Sequence, residues 1–523
     1  MHLLNRQEAD TICGAFESIR GDYQAARSSR LRRQRSGVPA TGASADYHYR
    51  SEVDFLKILE YCRDFDRNDA VIGQAVNRAC DNIVQGGFQP APDTGDKQLD
   101  AELTERWKEW SDNPELCDIQ GELPFAELEW IAWRQKIVDG DVCGILLDNG
   151  SVQLMESHRL RTPGGIDDWV VHGVRLGTAR RRLEYLFTKE DVDPWLPVRS
   201  VTEVSRYPVR DALGIRQVAH LYRSNRYSQT RGVSDFAPVF DVISGIEDLN
   251  LAKIVQAQIV SCIAFFLEQT SGAPPQTRDS GKVTYDEATE SKLTADLRPG
   301  AIKKLPPGTT LKSFSPNVPN PEFFQHLKWL ISLISVNLGM PLVLVMLDAS
   351  ETNFSGWRGA IDQAKQGWKR NQDLFIRRFH SPIWKWKLTQ WSLLDPALMS
   401  ARERLGNAYY KNNWQKPGWP YIEPLKDTQA DVLRLKNVLI SPRRVHSERG
   451  RDYDVIVKET IEDNASAIEA AYLKAEELKE RLGIELHWRE LLPLPMPEGV
   501  SKPSQPKPTP AEDQQDEEED EDA

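Results

Sequence analysis

The chain has 523 residues, 40% of them hydrophobic and 15 of them Trp, which is material for several cores and excludes a wholly disordered protein. Its formal net charge is −12; nine acidic residues and no basic one fall in residues 512–522, and removing those nine leaves −3 for the rest. A protein that grips DNA through its phosphates carries a strong basic excess, so this balance argues against a tight, sequence-independent DNA binder.

Cys13, Cys62, Cys80, Cys117, Cys143 and Cys262 show no CxxC spacing, so neither a zinc knuckle nor a disulfide framework is expected and reduced thiols are. The opening residues lack a basic region followed by an apolar core, so no signal peptide is expected. The longest apolar stretch, residues 254–267, contains Gln256 and Gln258 and reads as a buried or interface helix rather than a membrane span.

In chain order, residues 1–50 hold Arg27, Arg30, Arg32, Arg33 and Arg35 before a Gly/Pro/Ser stretch. This is an exposed arm whose arginines are either a solvated face or a contact for nucleic acid or an acidic partner. Residues 51–88 are helical in pattern until Gly86-Gly87, where the chain should turn into a strand. Amphipathic helices follow at 103–110 and 125–138, then short strands at 140–147, 152–156 and 172–174. Asp139, Asp141, Asp148 and Glu156 could form a metal-binding carboxylate cluster; turn and strand-end carboxylates explain them as well.

Residues 206–231 read as strands and a polar loop ending in Thr230-Arg231-Gly232. Beyond it, Phe236, Val239, Ile243 and Ile246 make an apolar stripe with Asp241 and Asp248 on the other face, predicting a helix that runs to about Glu268. Pro238 is tolerable only in a first turn, which puts the start near Asp235. Residues 271–320 are Pro/Gly/Ser-rich with strand-like pieces at 301–305 and 310–314. Asn320 then caps a helix whose first residue is Pro321. Phe323, Leu327, Leu330, Ile334 and Leu338 share one face of it, and Gly339 and Pro341 stop it. After a polar loop at 348–355, helical spacing resumes with Ile361, Trp368, Phe375 and Phe379. Further helices are predicted at 427–439, 443–452 and 453–482, then a proline-rich linker and a disordered acidic tail. HExxH, GxSxG, GxGxxG and Walker motifs do not occur, so no catalytic, cofactor-binding or metal site is expected.

Several strings occur in a telling order: Tyr23-Gln24-Ala25-Ala26 before Ser29-Arg30, Arg67-Asn68, Asn82-Ile83-Val84-Gln85-Gly86, Gly140-Asp141 and Thr230-Arg231-Gly232. Val336-Asn337-Leu338-Gly339-Met340-Pro341, Asn353-Phe354-Ser355 with Arg358, and Arg449-Gly450-Arg451-Asp452-Tyr453 complete the series. Over roughly residues 20–480 this order resembles the lambda-type portal proteins of tailed bacteriophages. Gly356 and Trp357 depart from that family's run of small residues before the Arg.

The resemblance implies an α+β portal fold with long stem helices, a mixed wing domain, a small clip insert and a helical C-terminal crown. Its parts would be a basic arm (1–50), the N-terminal part of the wing (51–232), a first stem helix (233–268), the clip (269–320) and a second stem helix (321–338). A tunnel loop and wing helix (339–400), a C-terminal crown (401–492) and a linker with its acidic tail (493–523) would follow. It further implies a homo-oligomer, a dodecameric ring at one capsid vertex of the virion, assembled in the host cytoplasm. Double-stranded DNA would pass through that ring in packaging and ejection. Its partners would be the large terminase subunit, head-completion or adaptor proteins, scaffold and major capsid protein, with no membrane and no cofactor. Asp241 and Asp248 would give the channel wall a charge that repels phosphate. Asp348, Glu351, Asn353, Ser355 and Trp357 would narrow the tunnel, and Arg358 and Lys365 would touch passing phosphates. Two rival readings stand beside it: a metal-dependent nuclease built on Asp139, Asp141 and Glu156, and a non-channel minor head protein.

Overall fold

The computed structural model describes residues 52–164, 169–189, 203–262, 265–269, 309–313, 321–348, 350, 352–483 and 486–492. The basic arm, residues 301–305, Glu351 and the acidic tail lie outside the described residues. The chain divides into two units, 1–430 and 431–523.

In the first unit, residues 51–88 hold two helices rather than one, α1 (Glu52–Asn68) and α2 (Ala70–Ile83). The break is chemical: Asp69 is extended, and its carboxylate accepts from the amides of Val71 (2.8 Å) and Ile72 (2.9 Å). Such a side chain competes with the backbone acceptors that would continue α1. After α2 the chain turns at Gly87 (φ +94°), but no strand follows; residues 89 and 92 make isolated bridges to 415 and 412. Helices α3 (Lys97–Asp112), α4 (Pro114–Cys117) and α5 (Phe125–Val138) come next.

Strands β1 (Asp141–Leu146), β2 (Val152–Met155), β3 (Val170–Val171), β4 (Val174–Leu176), β5 (Arg182–Thr188), β6 (Val204–Pro208) and β7 (Val218–Tyr222) build two antiparallel sheets, ordered β2-β1-β7 and β3-β4-β5-β6. Every residue of β1 is buried. Its register on β7 sets Asp141 opposite Tyr222 and Cys143 opposite His220.

A 3-10 turn at Ala237–Val239 takes up Pro238, and the helix proper, α6, is Phe240–Cys262. This corrects the helix expected over 233–268 at both ends. Phe265–Gln269 is instead β8, paired antiparallel with β9 (Thr309–Ser313), an exchange of backbone partners that a local apolar pattern does not reveal. Helix α7 is Pro321–Leu338, as its cap and stop predict, and α8 is Leu342–Met346.

Helix α9 (Phe354–Phe375) continues through a π turn at Ile376–His380 into α10 (Ser381–Leu394), followed by α11 (Pro396–Leu405). The wide turn lies just ahead of Pro382, which has no amide to donate and sits in the first turn of α10. Ile361, Trp368, Phe375 and Phe379 are buried, as their spacing predicts. The core is aromatic: Trp107 lies 5.2 Å from Trp384, 5.5 Å from Phe125 and 5.7 Å from Trp414 between ring centroids. Inside it, Glu129 and His380 form a buried 2.6 Å pair that fastens α5 to the π turn.

Helix α12 (Pro424–Lys436) runs across the boundary between the units. In the second unit α13 is Pro442–Glu448, capped by Ser441, and α14 is Tyr453–Leu482, closed by Asp452 at one end and by left-handed Gly483 at the other. The last described helix is α15 (Trp488–Leu491). Of the residues of α14, Ala475 is buried. The four described cysteines that can be placed, Cys62, Cys80, Cys117 and Cys143, are buried free thiols, and burial pushes Cys62 and Cys80 up to about 12. Among the described residues no helix is long and apolar enough to cross a membrane.

Candidate functional site

Helices α6 and α7 form an antiparallel hairpin. At its base the Asn337 amide, near the end of α7, donates to the Asp235 carbonyl just before α6 (2.5 Å). Farther along, the Lys253 ammonium lies 5.2 Å from the Phe323 ring, pairing the later part of α6 with the start of α7. The two helices span about 35 and about 27 Å at 1.5 Å per residue. Of the stripes that spacing predicts, Ile243, Ile246 and Ile334 are buried while Phe323, Leu327, Leu330 and Leu338 are half-buried, and Ile331, outside the predicted face, is buried beside Ile334. Other large apolar groups face out: Leu251 is 62% exposed, Trp329 55% and Val336 78%.

The hairpin rises from an anchor that short-range reading missed. Arg231 is fully buried, and its guanidinium grips the buried Asp141 carboxylate through Nε and Nη2. The remaining donors go to the Leu160 and His172 carbonyls (3.1 Å each) and to the carbonyl and hydroxyl of Ser157 (2.9 and 2.7 Å). Asp141 also accepts from the Ser157 hydroxyl (2.5 Å) and the Gly232 amide (3.1 Å). Burial alone would push that carboxyl up, but the Arg231 charge and these hydrogen bonds hold it well below the usual carboxylate range.

His220 completes the network. Its Nδ1 faces an Arg182 N–H (3.2 Å), which can only donate, so Nδ1 accepts and Nε2–H donates to Asp141 at 3.1 Å. The ring is therefore neutral; burial pushes its pKa down to about 3 against the pull of Asp141, and the cations Arg182 and Arg231 push the same way. Next to the pair, the backbones touch. A Cβ on Gly232 would sit 2.0 Å from the Gly140 carbonyl oxygen, and one on Gly140 would sit 2.4 Å from the Val233 carbonyl carbon. Lys136 and Asp235 (2.5 Å) then tie α5 to the foot of the hairpin. Gly140-Asp141 and Arg231-Gly232 each set a charge beside a glycine, but nothing along the chain pairs the two segments; once buried, each charge is tolerable only against its opposite.

Of the other carboxylates considered as metal ligands, Asp148 is exposed in the turn after β1, and Asp139 and Glu156 have cationic protein partners. Asp139 takes Arg63 in two hydrogen bonds (2.8 and 2.6 Å), and Glu156 pairs with Arg63 (2.9 Å) and His158 (3.2 Å). Among the described residues no group of His, Cys, Asp and Glu could hold a metal ion.

The expected channel residues fall on separate elements. Asp241 is half-buried in the first turn of α6, and Asp248 is exposed two turns later. Asp348 is exposed in the loop after α8, where it accepts from the Ser350 amide (2.9 Å). Asn353 caps α9 by accepting from the Gly356 amide (2.7 Å), so the polar loop ends there and Ser355 and Trp357 belong to the first turn of a helix, not to the loop. Gly356 has a local reason, since a Cβ there would come within 2.8 Å of the capping oxygen of Asn353. Trp357 is half-buried beside Phe354, with ring centroids 6.0 Å apart. Arg358 is engaged by Glu423 (2.8 Å) and Asp427 (2.5 Å), and Lys365 by Asp362 (3.3 Å). Arg358 is thus not the free cation expected of a phosphate contact; two carboxylates already neutralise it.

A family profile described as "Phage portal protein, lambda family" matches residues 32–372. A "Probable portal protein" of Halomonas phage phiHAP-1 is 23% identical over 380 residues, covering 69% of each chain. A solved structure titled "Neck of native GTA particle computed with C12 symmetry" is similar at 12% identity and a TM-score of 0.43, over 76% of this chain and 93% of that one. An HK97 family phage portal protein from Corynebacterium diphtheriae is similar at 10% identity and a TM-score of 0.29, over 74% and 99%. The profile spans well over half of the sequence, including both glycine-flanked charges of the anchor and the whole helical hairpin: the chain belongs to the lambda family of phage portal proteins.

Proposed function

We propose that copies of this portal protein close into a dodecameric ring at one vertex of the virion, through which double-stranded DNA is packaged and later ejected. The observation that carries the ring is the hairpin of α6 and α7: Leu251, Trp329 and Val336 are exposed on the protomer, and neighbouring copies would cover them. One patch meeting a different patch on the next copy generates a ring when the rotation closes. Helices α6 and α7 are the stem that lines the channel, β8 and β9 belong to the clip, and the segment after α8 reaches toward the DNA. The surrounding elements up to β7, with α9 and α10, form the wing; the second unit contributes the crown. The clip end would dock the large terminase during packaging and head-completion proteins afterwards, with scaffold and major capsid protein around the wing. Assembly takes place in the host cytoplasm.

The channel works by geometry and charge rather than by bond making. Asp241 and Asp248, seven residues apart on α6, give each subunit two negative charges on one helix face. Repeated around a ring, they would keep phosphate from settling on the wall. With Asp241→Lys and Asp248→Lys together, rings should still form while DNA packaged per particle falls. Unchanged packaging by intact rings would remove the acidic wall from the account.

The nuclease reading loses its candidate residues, because Asp139, Asp141 and Glu156 each have cationic protein partners. Arg358 is better placed as a brace between α9 and α12 than as a DNA contact. Lys365 and the loop residues Asp348 and Asn353 stay as the proposed tunnel contacts, with Glu351 between them in sequence.

A further inference from the structure

Two adjoining cavities, of 670 and 500 Å³, lie between the turn joining β6 to β7, the start of β5, the π turn and α10. Arg210, Arg216 and Arg378 line both. Arg377, Lys385 and Arg402 extend the lining on one side, and Arg180, Arg181 and Arg182 on the other. Together they are nine cations with no carboxylate among the lining residues, in a chain whose net charge is −12.

Neutral groups hold four of these guanidinium groups. Arg378 stacks on Tyr222, 4.6 Å from the ring centre, and donates to the Ser224 hydroxyl (3.2 Å). Arg402 donates to the Ser392 hydroxyl (3.1 Å) and Arg210 to the Gly214 carbonyl. Arg182 donates to Tyr222 and to the Thr230 carbonyl (2.7 Å). The forks are fixed in place without their charge being cancelled, which is the arrangement that receives an anion with little loss of side-chain freedom. The one nearby carboxylate in the β6–β7 turn, Asp211, faces the Ile215 amide (2.8 Å). Crowding shows at Arg216, whose pKa is lowered by burial and by the neighbouring Arg210, Arg378 and Arg182.

We propose that this arginine groove binds the phosphodiester backbone of duplex DNA at a place separate from the stem helices. The portal reading supplies the identity of the anion; the groove itself stands on its charge and geometry. Two features favour phosphodiester over an acidic protein segment. Arg210, Arg216 and Arg378 are shared by two adjoining cavities, each with further cations of its own, an arrangement suited to a repeating anion rather than to one. Protein–protein interfaces use single arginines but are depleted in charge at their core, whereas nine cations with no interleaved carboxylate match the strongly positive composition of a DNA interface. A portal with a near-neutral body would then hold DNA here while letting it slide elsewhere.

Arg377 and Lys385 are exposed and form no ion pair among the described residues, so replacing them leaves the fold alone. The test uses the full-length assembled protein and a fluorescently labelled DNA duplex, with anisotropy read across a salt series. Arg377→Ala with Lys385→Ala should weaken binding several-fold and reduce the slope of log K against log salt by about 2, one per lost phosphate contact. Lys97→Ala with Lys108→Ala, on the exposed face of α3, should change neither. A second readout is local: duplex DNA should shield Arg216 and Arg378 from phenylglyoxal, scored by mass spectrometry, while inorganic phosphate at equal ionic strength should not. Unchanged affinity and slope in the groove variant overturns the proposal. So does equal shielding by inorganic phosphate, or loss of oligoglutamate binding with duplex binding intact. Absence of rings in the wild-type protein would instead count against the portal reading, so the two failures are told apart.

Discussion

Asp141 and Arg231 lie ninety residues apart and meet at full burial, and their value to the fold comes from what each would cost alone. Removing one partner strands a buried charge, so Arg231→Met or Asp141→Asn should destabilise the protein by about 3–5 kcal/mol, read as a large drop in thermal midpoint. If either variant melts with the wild type, the anchor does not hold the hairpin. The adjoining His220 makes a pH prediction. Its folded pKa is about 3, below the ordinary value of 6.5, so between those values the unfolded chain takes up a proton that the folded chain refuses. Stability is therefore complete above about pH 6.5 and declines as pH falls toward 3. His220→Gln, which keeps a neutral donor for Asp141 and cannot titrate, should flatten the fall in thermal midpoint between pH 6.5 and pH 4. An unaltered acid limb would place its origin elsewhere. None of this pairing was legible in sequence, where Asp141 read equally as a strand-end carboxylate and Arg231 as part of a motif: spacing along the chain carries no information about a contact made through the tertiary fold.

Elements were legible to the extent that their ends are chemical. Pro321–Leu338 and Tyr453–Leu482 come out as read: Pro321 opens the first, Asp452 caps the second, and Gly339 and Gly483 close them. Helix α6 does not, because Phe265-Phe266-Leu267 carries the apolar run past Cys262 and the strand it joins is supplied by residues forty positions later. The break at Asp69 was equally hidden, since an aspartate inside a helical pattern can cap as readily as it can face solvent. At this scale the hairpin makes its own prediction. Val336→Asp with Trp329→Asp changes two outward side chains and no buried one, so the protomer should keep its unfolding free energy within about 1 kcal/mol while ring assembly fails, seen by native mass spectrometry. Rings that persist with both substitutions would mean that this face is not between subunits.

For the whole molecule, composition excluded a wholly disordered chain and showed no overall basic excess, an average that hides the local arginine groove, and the order of short motifs pointed to the portal family that the profile match establishes. The candidate site was legible only in outline. Its acidic helix face and polar loop were visible as residues, but which groups remain available was not: Arg358 is taken by Glu423 and Asp427, and the loop ends at Asn353. Whether these protomers close around an opening is tested most directly by electron microscopy of the purified full-length protein. Closed rings with a hole on the axis, in projections showing twelve-fold symmetry, are the predicted result. Monomers, open filaments or discs without an axial opening would contradict it.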